Sequence, residues 1–149
     1  MKKIYYLLMA AVAVMCVCSS CSKDEDGDVD SKSIVGTWNV VSEEGYAIYD
    51  GEKEEWKETY GGDESLITTF NADGTGSAVY RDEYIEDTIG KFNWKLNGNK
   101  LSIKFAGDVV VEECRVEKLT STTLVVVYEW ISSDGMEKEY NKTIFTRIM

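Results

Sequence analysis

The side chains of this 149-residue chain that can do chemistry are four cysteines and 27 carboxylates, and the chain has no histidine. Without histidine it cannot form a Ser-His-Asp triad, a Cys-His dyad or a His-ligated metal site. It also has no glycine-rich phosphate loop and no nucleophile elbow. Carboxylates are so numerous that pairs of them do not indicate a glycosidase. We therefore expect no enzyme, no metal and no cofactor.

Three of the four cysteines lie in the first 21 residues, next to a short hydrophobic stretch. Residues 1–3 carry two lysines, and residues 4–17 are almost wholly apolar. About 14 residues are too few to span a bilayer, but they suit the core of a signal peptide. The small residues that follow, Cys18-Ser19-Ser20-Cys21, resemble the cleavage signal of bacterial lipoproteins. This resemblance implies a signal peptide at 1–20 and acyl chains such as palmitate on Cys21, which would anchor the protein to a membrane.

The segment after Cys21 is strongly acidic. Five of the seven residues 24–30 are Asp or Glu. Such a run repels itself and does not pack, so we interpret residues 21–33 as a linker. The run resembles the lysine-plus-acid export tag of surface lipoproteins in some Gram-negative bacteria. The resemblance implies an outer-membrane lipoprotein that is exposed on the cell surface, and a simple spacer is the alternative.

The net charge of the chain limits which classes of partner it can bind. The formal charge is −11, and removal of residues 1–20 takes away two lysines and no acid, which leaves −13. Binding to nucleic acid depends on neutralising phosphates with Lys and Arg, so nucleic acid is not an expected partner. Self-repulsion also favours a soluble, monomeric domain.

From residue 34 onward, apolar and polar residues alternate with the period of two that predicts β-strands. Turn signals such as Asp73-Gly74 and Asn97-Gly98 separate the alternating segments. Sequential hairpins of this kind give an antiparallel meander. We predict eight strands, at about 34–42, 64–70, 75–81, 92–96, 101–105, 109–118, 122–131 and 137–148.

Eight antiparallel strands in one domain, residues 34–149, predict an all-β up-and-down barrel, because closure removes the exposed edges of the sheet. A β-sandwich is the alternative. A barrel of this size holds one small ligand or fills itself with side chains. The alternation predicts that many large side chains face the interior and fill most of it, so we expect a small cavity near the mouth. They are Phe70, Tyr80, Phe92, Trp94, Leu101, Ile103, Phe105, Tyr128 and Trp130.

The first strand, two hairpins and the last strand carry a family resemblance. Gly36-Thr37-Trp38 resembles the opening strand of lipocalins, and 67–76 and 94–103 resemble the hairpins of bacterial lipocalin-like lipoproteins. Phe145-Thr146-Arg147 completes the match over about residues 34–148. The resemblance implies an eight-stranded lipocalin-like barrel and, loosely, a small apolar ligand. It also implies that Arg147 stacks on Trp38 as a structural pair at the closed end of the barrel.

Residues 43–62 form the longest segment without a clear strand pattern. Asp50-Gly51 favours a small hairpin, whereas 52–60 suits a short helix, and the sequence leaves both open. The resemblance implies that a long first loop covers the mouth of the barrel, where aromatic residues either contact a ligand or plug the barrel. The four aromatic candidates are Tyr46, Tyr49, Trp56 and Tyr60.

Glu112 and Cys114 share the inward parity of Val116 on the predicted strand 109–118. A carboxylate inside a barrel is costly unless it is paired or hydrated. We therefore expect Glu112 either near the rim or against the polar group of a ligand. The sequence indicates no base that would activate Cys114, so we expect this residue to act as a small hydrophobic side chain.

These features predict a membrane-anchored lipocalin-like lipoprotein that binds a small apolar ligand or serves as an uptake accessory. The alternative is an adhesion or assembly module that docks proteins or glycans through its rim. Exposed aromatic rings suit the apolar faces of sugars, which is the physical basis of the glycan alternative.

Overall fold

The computed structural model describes residues 31–84 and 86–148. The predicted signal peptide, Cys21 and the acidic run 24–30 lie outside these residues. Among the described residues, no helix has the length and apolar character needed to cross a bilayer. The described elements are one helical turn, α1 (Ser31–Ile34), and the strands β1 (Gly36–Tyr49), β2 (Glu52–Thr59), β3 (Ser65–Phe70), β4 (Thr75–Arg81), β5 (Glu86–Asn97), β6 (Lys100–Phe105), β7 (Glu112–Leu119), β8 (Thr123–Ile131) and β9 (Lys138–Arg147).

Eight of these strands form a closed antiparallel barrel, which confirms the predicted fold. From β3 to β9, each strand pairs with the next one in sequence, and β1 pairs with both β3 and β9. The β1–β9 ladder, from Trp38 opposite Arg147 to Ile48 opposite Lys138, closes the sheet on itself. The β-sandwich alternative is therefore wrong, because all eight strands belong to one hydrogen-bonded sheet that closes on itself.

The additional strand, β2, extends the barrel wall at one end. On the same edge of β1, residues 36–39 pair with β3 and residues 42–49 pair with β2. Asp50 and Gly51 connect β1 to β2 with φ values of 52° and 79°, as a tight two-residue hairpin turn requires. The expectation of an irregular segment at 43–62 is wrong, and of its two alternatives the hairpin forms. The reason is that residues 42–48 pair on both edges, with β2 and β9, which satisfies their backbone groups as strand.

A β-bulge in β1 changes which side chains face the interior. The register with β9 shifts between Val40 and Ser42. Before the bulge, Trp38 and Val40 are buried, and after it Glu43 is buried. A strict period of two from Trp38 would put Glu43 on the outer face, but the extra residue reverses the parity. The bulge therefore carries a carboxylate into the barrel.

The hydrophobic core fills the end of the barrel at which β1 starts and β9 finishes. Ile34, Trp38, Leu101 and Leu124 have no exposed surface. The carbonyl of Ile34 accepts a hydrogen bond from Trp38 Nε1 at 2.8 Å, so α1 closes this end. The β1–β2 turn and the connections after β4, β6 and β8 lie at the opposite, open end.

Candidate ligand-binding cavity

A cavity of about 190 Å³ lies inside the barrel, between the closed end and the mouth. For comparison, an apolar cavity of about 150 Å³ holds a benzene-sized molecule. Its apolar lining consists of Val40, Leu66, Phe70, Ala78, Ile89, Phe92, Leu101, Ile103, Phe105, Val126 and Phe145. Its polar lining consists of Glu43, Tyr60, Thr68, Glu112, Cys114, Tyr128, Glu139, Asn141 and Thr143.

Three phenylalanine rings form an apolar wall of the cavity. Phe92 meets Phe70 and Phe105 edge to face, with ring centroids 5.5 Å apart in both pairs. Phe92 also covers Gly76 on β4, where an added Cβ would lie 2.2 Å from its ring. Glycine at position 76 is thus what lets the Phe92 ring lie flat against the barrel wall.

Trp38 and Arg147 close the barrel beyond this wall and take no part in the cavity lining. The guanidinium carbon of Arg147 lies 4.1 Å from the Trp38 ring centroid, which is the stacked arrangement that the family resemblance implies. Arg147 also donates to the carbonyls of Ser33, Val35 and Ser121. These contacts tie the last strand to α1 and to the β7–β8 turn, so the pair is structural in this geometry.

Glu43 is the most buried carboxylate of the cavity, with 4% of its surface exposed. The Tyr60 hydroxyl donates to Glu43 Oε2 at 2.9 Å, and Thr143 Oγ1 donates to Oε1 at 3.3 Å. Burial raises the pKa of the Glu43 carboxyl, although these two hydrogen bonds act in the opposite direction. Sequence analysis missed Glu43, because only the bulge after Val40 turns it inward.

Tyr60 lies where the chain passes from β2 to β3. Its backbone N–H donates to the carbonyl of Val41 at 3.0 Å, which holds the residue beside the bulge. Its hydroxyl also lies 3.4 Å from Glu58 Oε2. Burial, together with the negative charge of Glu43, raises the pKa of the Tyr60 phenol above its usual range, so the hydroxyl stays a hydrogen-bond donor.

Two further carboxylates, Glu112 and Glu139, line the cavity. Burial raises the pKa of Glu112, and the charges of Asp108 and Glu139 add to this effect. Burial likewise raises the pKa of Glu139, which is partly offset by the hydrogen bond from the Tyr49 hydroxyl at 3.4 Å. Of the described residues that line the cavity, none is Lys or Arg.

Cys114 and Tyr128 face each other across β7 and β8 and also line the cavity. Burial raises the pKa of the Cys114 thiol to about 12 and that of the Tyr128 phenol to about 12. Both groups are therefore neutral at physiological pH. Cys114 sits in the lining as an uncharged thiol, in keeping with the expectation that it acts as a small hydrophobic residue.

The candidate ligand contacts from the sequence divide into two groups. Tyr60 and Glu112 line the cavity, whereas Tyr46, Tyr49 and Trp56 do not. Tyr46 stacks on Tyr140 at 5.7 Å between ring centroids, on the face of β1 opposite to Glu43.

Trp56 and Tyr49 have other partners on the extended hairpin. Trp56 lies over Gly45 and its indole N–H donates to Asn141 Oδ1 at 3.3 Å, so it supports an amide that does line the cavity. Tyr49 is close to half exposed, at the tip of β1. The aromatic residues of β1 and β2 therefore brace the hairpin arm, and Tyr60 alone of the four reaches the cavity.

The inward-parity set predicted from the sequence also needs correction. Tyr80, Trp94 and Trp130 do not line the cavity, although the other six members do. Trp94 packs edge-on against Phe70, and its indole N–H donates to the carbonyls of Asn71 and Thr75 in the β3–β4 turn. Alternation says nothing about position along a strand: Tyr80 and Trp130 lie next to the last residues of β4 and β8, and Trp94 lies against the β3–β4 turn.

In the part of the chain that the structure describes, no group of three or more Cys, Asp or Glu side chains is arranged to hold a metal ion. The three cavity carboxylates are thus dispersed around the wall, and they do not converge on one point. The arrangement can desolvate a small apolar body and offer hydrogen-bond acceptors to one of its ends.

The family model of the lipocalin-like domain matches residues 34–126. This match covers more than half of the chain, and the chain belongs to this family. It confirms the resemblance that the opening strand and hairpins indicated.

Several solved structures are similar to the chain at low sequence identity. A crystal structure of an uncharacterized protein from Bacteroides eggerthii is 15% identical, with a TM-score of 0.47, over 76% of this chain and 98% of that one. Bovine odorant binding protein in complex with a selenium-containing odorant is 16% identical, with a TM-score of 0.44, over 86% and 78%. Its complex with undecanal is 14% identical, with a TM-score of 0.42, over 85% and 78%. No curated protein matches the sequence.

Proposed function

We propose that the protein is a membrane-anchored carrier that binds a small apolar ligand inside its barrel. The cavity of about 190 Å³ carries this proposal. Aliphatic and aromatic side chains make up most of its wall, and a few polar groups lie among them. This combination is the usual form of a small-molecule site, since the apolar wall supplies affinity and the polar groups set orientation.

The test of the carrier proposal uses a neutral ligand and a cavity-filling variant. Phenylethanol should bind the purified protein saturably in isothermal titration calorimetry. Ala78→Leu should weaken binding by about tenfold or more, because Ala78 lines the cavity and leucine occupies part of its volume. Near-UV circular dichroism checks that the variant retains its tertiary packing.

Ser77→Leu is the matched control for this experiment. Ser77 is the neighbour of Ala78 on β4 and is not part of the cavity lining. We expect it to bind phenylethanol like the wild type. Equal affinity in wild type, Ala78→Leu and Ser77→Leu would put the ligand outside the barrel and contradict the proposal, as would a failure of all small apolar ligands to bind.

The membrane anchor of this proposal rests on residues 1–30. The lipoprotein-like sequence Cys18-Ser19-Ser20-Cys21 supports acylation of Cys21, and the acidic run 24–30 supports display on the surface of the outer membrane. In the barrel, α1 and the start of β1 lie at the closed end. A tether on Cys21 would therefore join the barrel at its closed end.

Cys21→Ser is expected to release the protein from the membrane fraction and to abolish labelling with a palmitate analogue. Several acyl chains anchor firmly, because each buried CH₂ contributes about 0.8 kcal/mol. Fractionation and metabolic labelling of cells measure both effects, with Ser22→Ala as the control that keeps the thiol. Unchanged labelling of Cys21→Ser would contradict the assignment, and cleavage of the wild type by protease added to intact cells would support surface display.

A second candidate function, docking of a protein or glycan through the rim, is favoured by a different observation. Large apolar side chains are exposed on the connections at the open end, where Tyr84, Val109 and Met136 have 85%, 93% and 73% of their surface exposed. If no small ligand binds the cavity, this rim becomes the better-supported site.

A further inference from the structure

The charges that face the cavity all have the same sign. Glu43, Glu112 and Glu139 line it, and no Lys or Arg is found among its described lining residues. Two cations of nearby strands are engaged elsewhere: Lys57 pairs with Glu44 at 3.2 Å and Lys142 with Glu117 at 2.9 Å, on the outer surface. Burying carboxylates without a counter-charge is costly, and a bound cation removes that cost.

The hydrogen-bonding groups around Glu43 also favour a bound cation. An ionised carboxylate accepts about four hydrogen bonds, and the described residues supply two, from Tyr60 and Thr143. These two donors hold the carboxylate in one orientation against a mostly apolar space. The remaining acceptor sites on Glu43 suit a group that only donates, and an ammonium has three donors and no acceptor.

We propose that the ligand of the cavity is an amphiphilic amine, with its ammonium group on Glu43 and its apolar body against Phe92 and the neighbouring rings. This inference rests on the proposed function, because it assigns a chemical class to the ligand of the same cavity. A fatty acid is expected to bind poorly, because its carboxylate would be buried among three like charges. The overall charge of −11 also raises the local concentration of cations near the mouth.

The size of the cavity sets the size of the amine. At about 190 Å³ the space fits one aromatic ring or a short alkyl chain, with a two- or three-atom extension toward Glu43. A bare divalent metal ion fits poorly, because within the described chain no cluster of carboxylates converges on one point. A small arylalkylamine thus matches the volume, the apolar wall and the acidic groups together.

Three ligands of nearly the same shape test the inference: phenylethylamine, phenylethanol and phenylpropionate. Calorimetry on the wild-type protein at pH 7 should show the amine binding about tenfold or more tightly than the alcohol, as expected for a charge-assisted hydrogen bond in a buried site. Phenylpropionate should bind more weakly than the alcohol. This comparison needs no variant and decides the inference even if a variant fails to fold.

Glu43→Gln shows whether Glu43 is the partner of the ammonium. It should remove the preference for the amine and leave phenylethanol affinity within about twofold, because glutamine keeps the size of the side chain and loses its charge. Glu44→Gln is the matched control on the outer face, where Glu44 is exposed and pairs with Lys57. It should bind all three ligands like the wild type.

The possible outcomes separate this inference from the function on which it rests. If phenylethanol and phenylethylamine bind equally well, the barrel is a carrier but the amine inference is wrong. If Glu43→Gln retains the full preference, the ammonium lies elsewhere and the assignment to Glu43 is overturned. If none of the three ligands binds, the carrier proposal fails together with the inference.

Discussion

Trp38→Ala is expected to lower the free energy of unfolding by about 3–5 kcal/mol, the cost typical of removing a large buried aromatic side chain. Trp38 has no exposed surface, donates to the Ile34 carbonyl at 2.8 Å and carries the Arg147 guanidinium on its ring. Its removal leaves a cavity at the closed end and removes the side-chain hydrogen bond to the carbonyl of Ile34 in α1. Urea denaturation followed by circular dichroism measures the loss from the midpoint and slope.

The coupling between Trp38 and Arg147 gives a sharper measurement than either single variant. Arg147→Ala should cost less than Trp38→Ala, because its head group is held at the surface by three carbonyls. In a double-mutant cycle the two effects should be non-additive by about 0.5–2 kcal/mol, the range of a partly desolvated cation–π contact. Tyr84→Ala, at the open end, is the control partner and should be additive with Trp38→Ala. An additive Trp38–Arg147 cycle would show that the stack contributes nothing.

Phe92→Ala is expected to lower the free energy of unfolding by about 3–5 kcal/mol as well, and to enlarge the ligand cavity. Phe92 is 3% exposed and contacts both Phe70 and Phe105. Because its ring forms part of the cavity wall, its loss joins new empty space to the existing 190 Å³. Ligands larger than phenylethanol should therefore gain affinity relative to phenylethanol in this variant.

Stability and ligand selectivity are measured separately for Phe92→Ala. Urea denaturation gives the loss of stability, and calorimetry with phenylethanol and naphthylethanol gives the change in preference. Tyr84→Ala is again the control, because its side chain is 85% exposed and such surface changes are usually within about 0.5 kcal/mol. A variant that loses stability but keeps the wild-type preference would mean that the barrel collapses into the space left by the ring.

The carrier proposal and the amine inference depend on two different parts of the cavity wall. The rings of Phe70, Phe92 and Phe105 form its apolar wall. Glu43 lies with Tyr60 and Thr143 in hydrogen-bonding contact. Affinity for an apolar body and selection of its polar end therefore come from different residues, which is why Phe92 and Glu43 variants have separate expected effects.

Most of the fold could be predicted from local features of the sequence. Alternation such as Leu101, Ile103 and Phe105 on one face, and turns such as Asn97-Gly98, depend only on neighbours along the chain. The hairpin at Asp50-Gly51 was one of two open alternatives, because 52–60 has no alternation strong enough to decide between strand and helix. Pairing of β1 with both β2 and β9 decides it, and those partners are distant in sequence.

Glu112 and Tyr60 were predicted as candidate contacts and line the cavity, whereas Glu43 was missed. Counting alternate residues from Trp38 puts the Glu43 side chain on the outer face of the barrel. No residue type in 38–43 indicates a bulge in the strand. The bulge arises from the register between β1 and β9, which are about a hundred residues apart in the chain.

The sequence by itself predicted the antiparallel strands of the barrel, because hairpin turns and side-chain alternation act over a few residues, and the family resemblance implied the closed-end pair of Trp38 and Arg147. Only the tertiary structure decided that Glu43 and Glu139 also face the cavity, how far the cavity extends along each strand, and that no Lys or Arg among the described residues lines it. Those properties depend on strand register and on burial against distant elements. The acidic interior, and with it the amine inference, is a product of packing that local pattern does not encode.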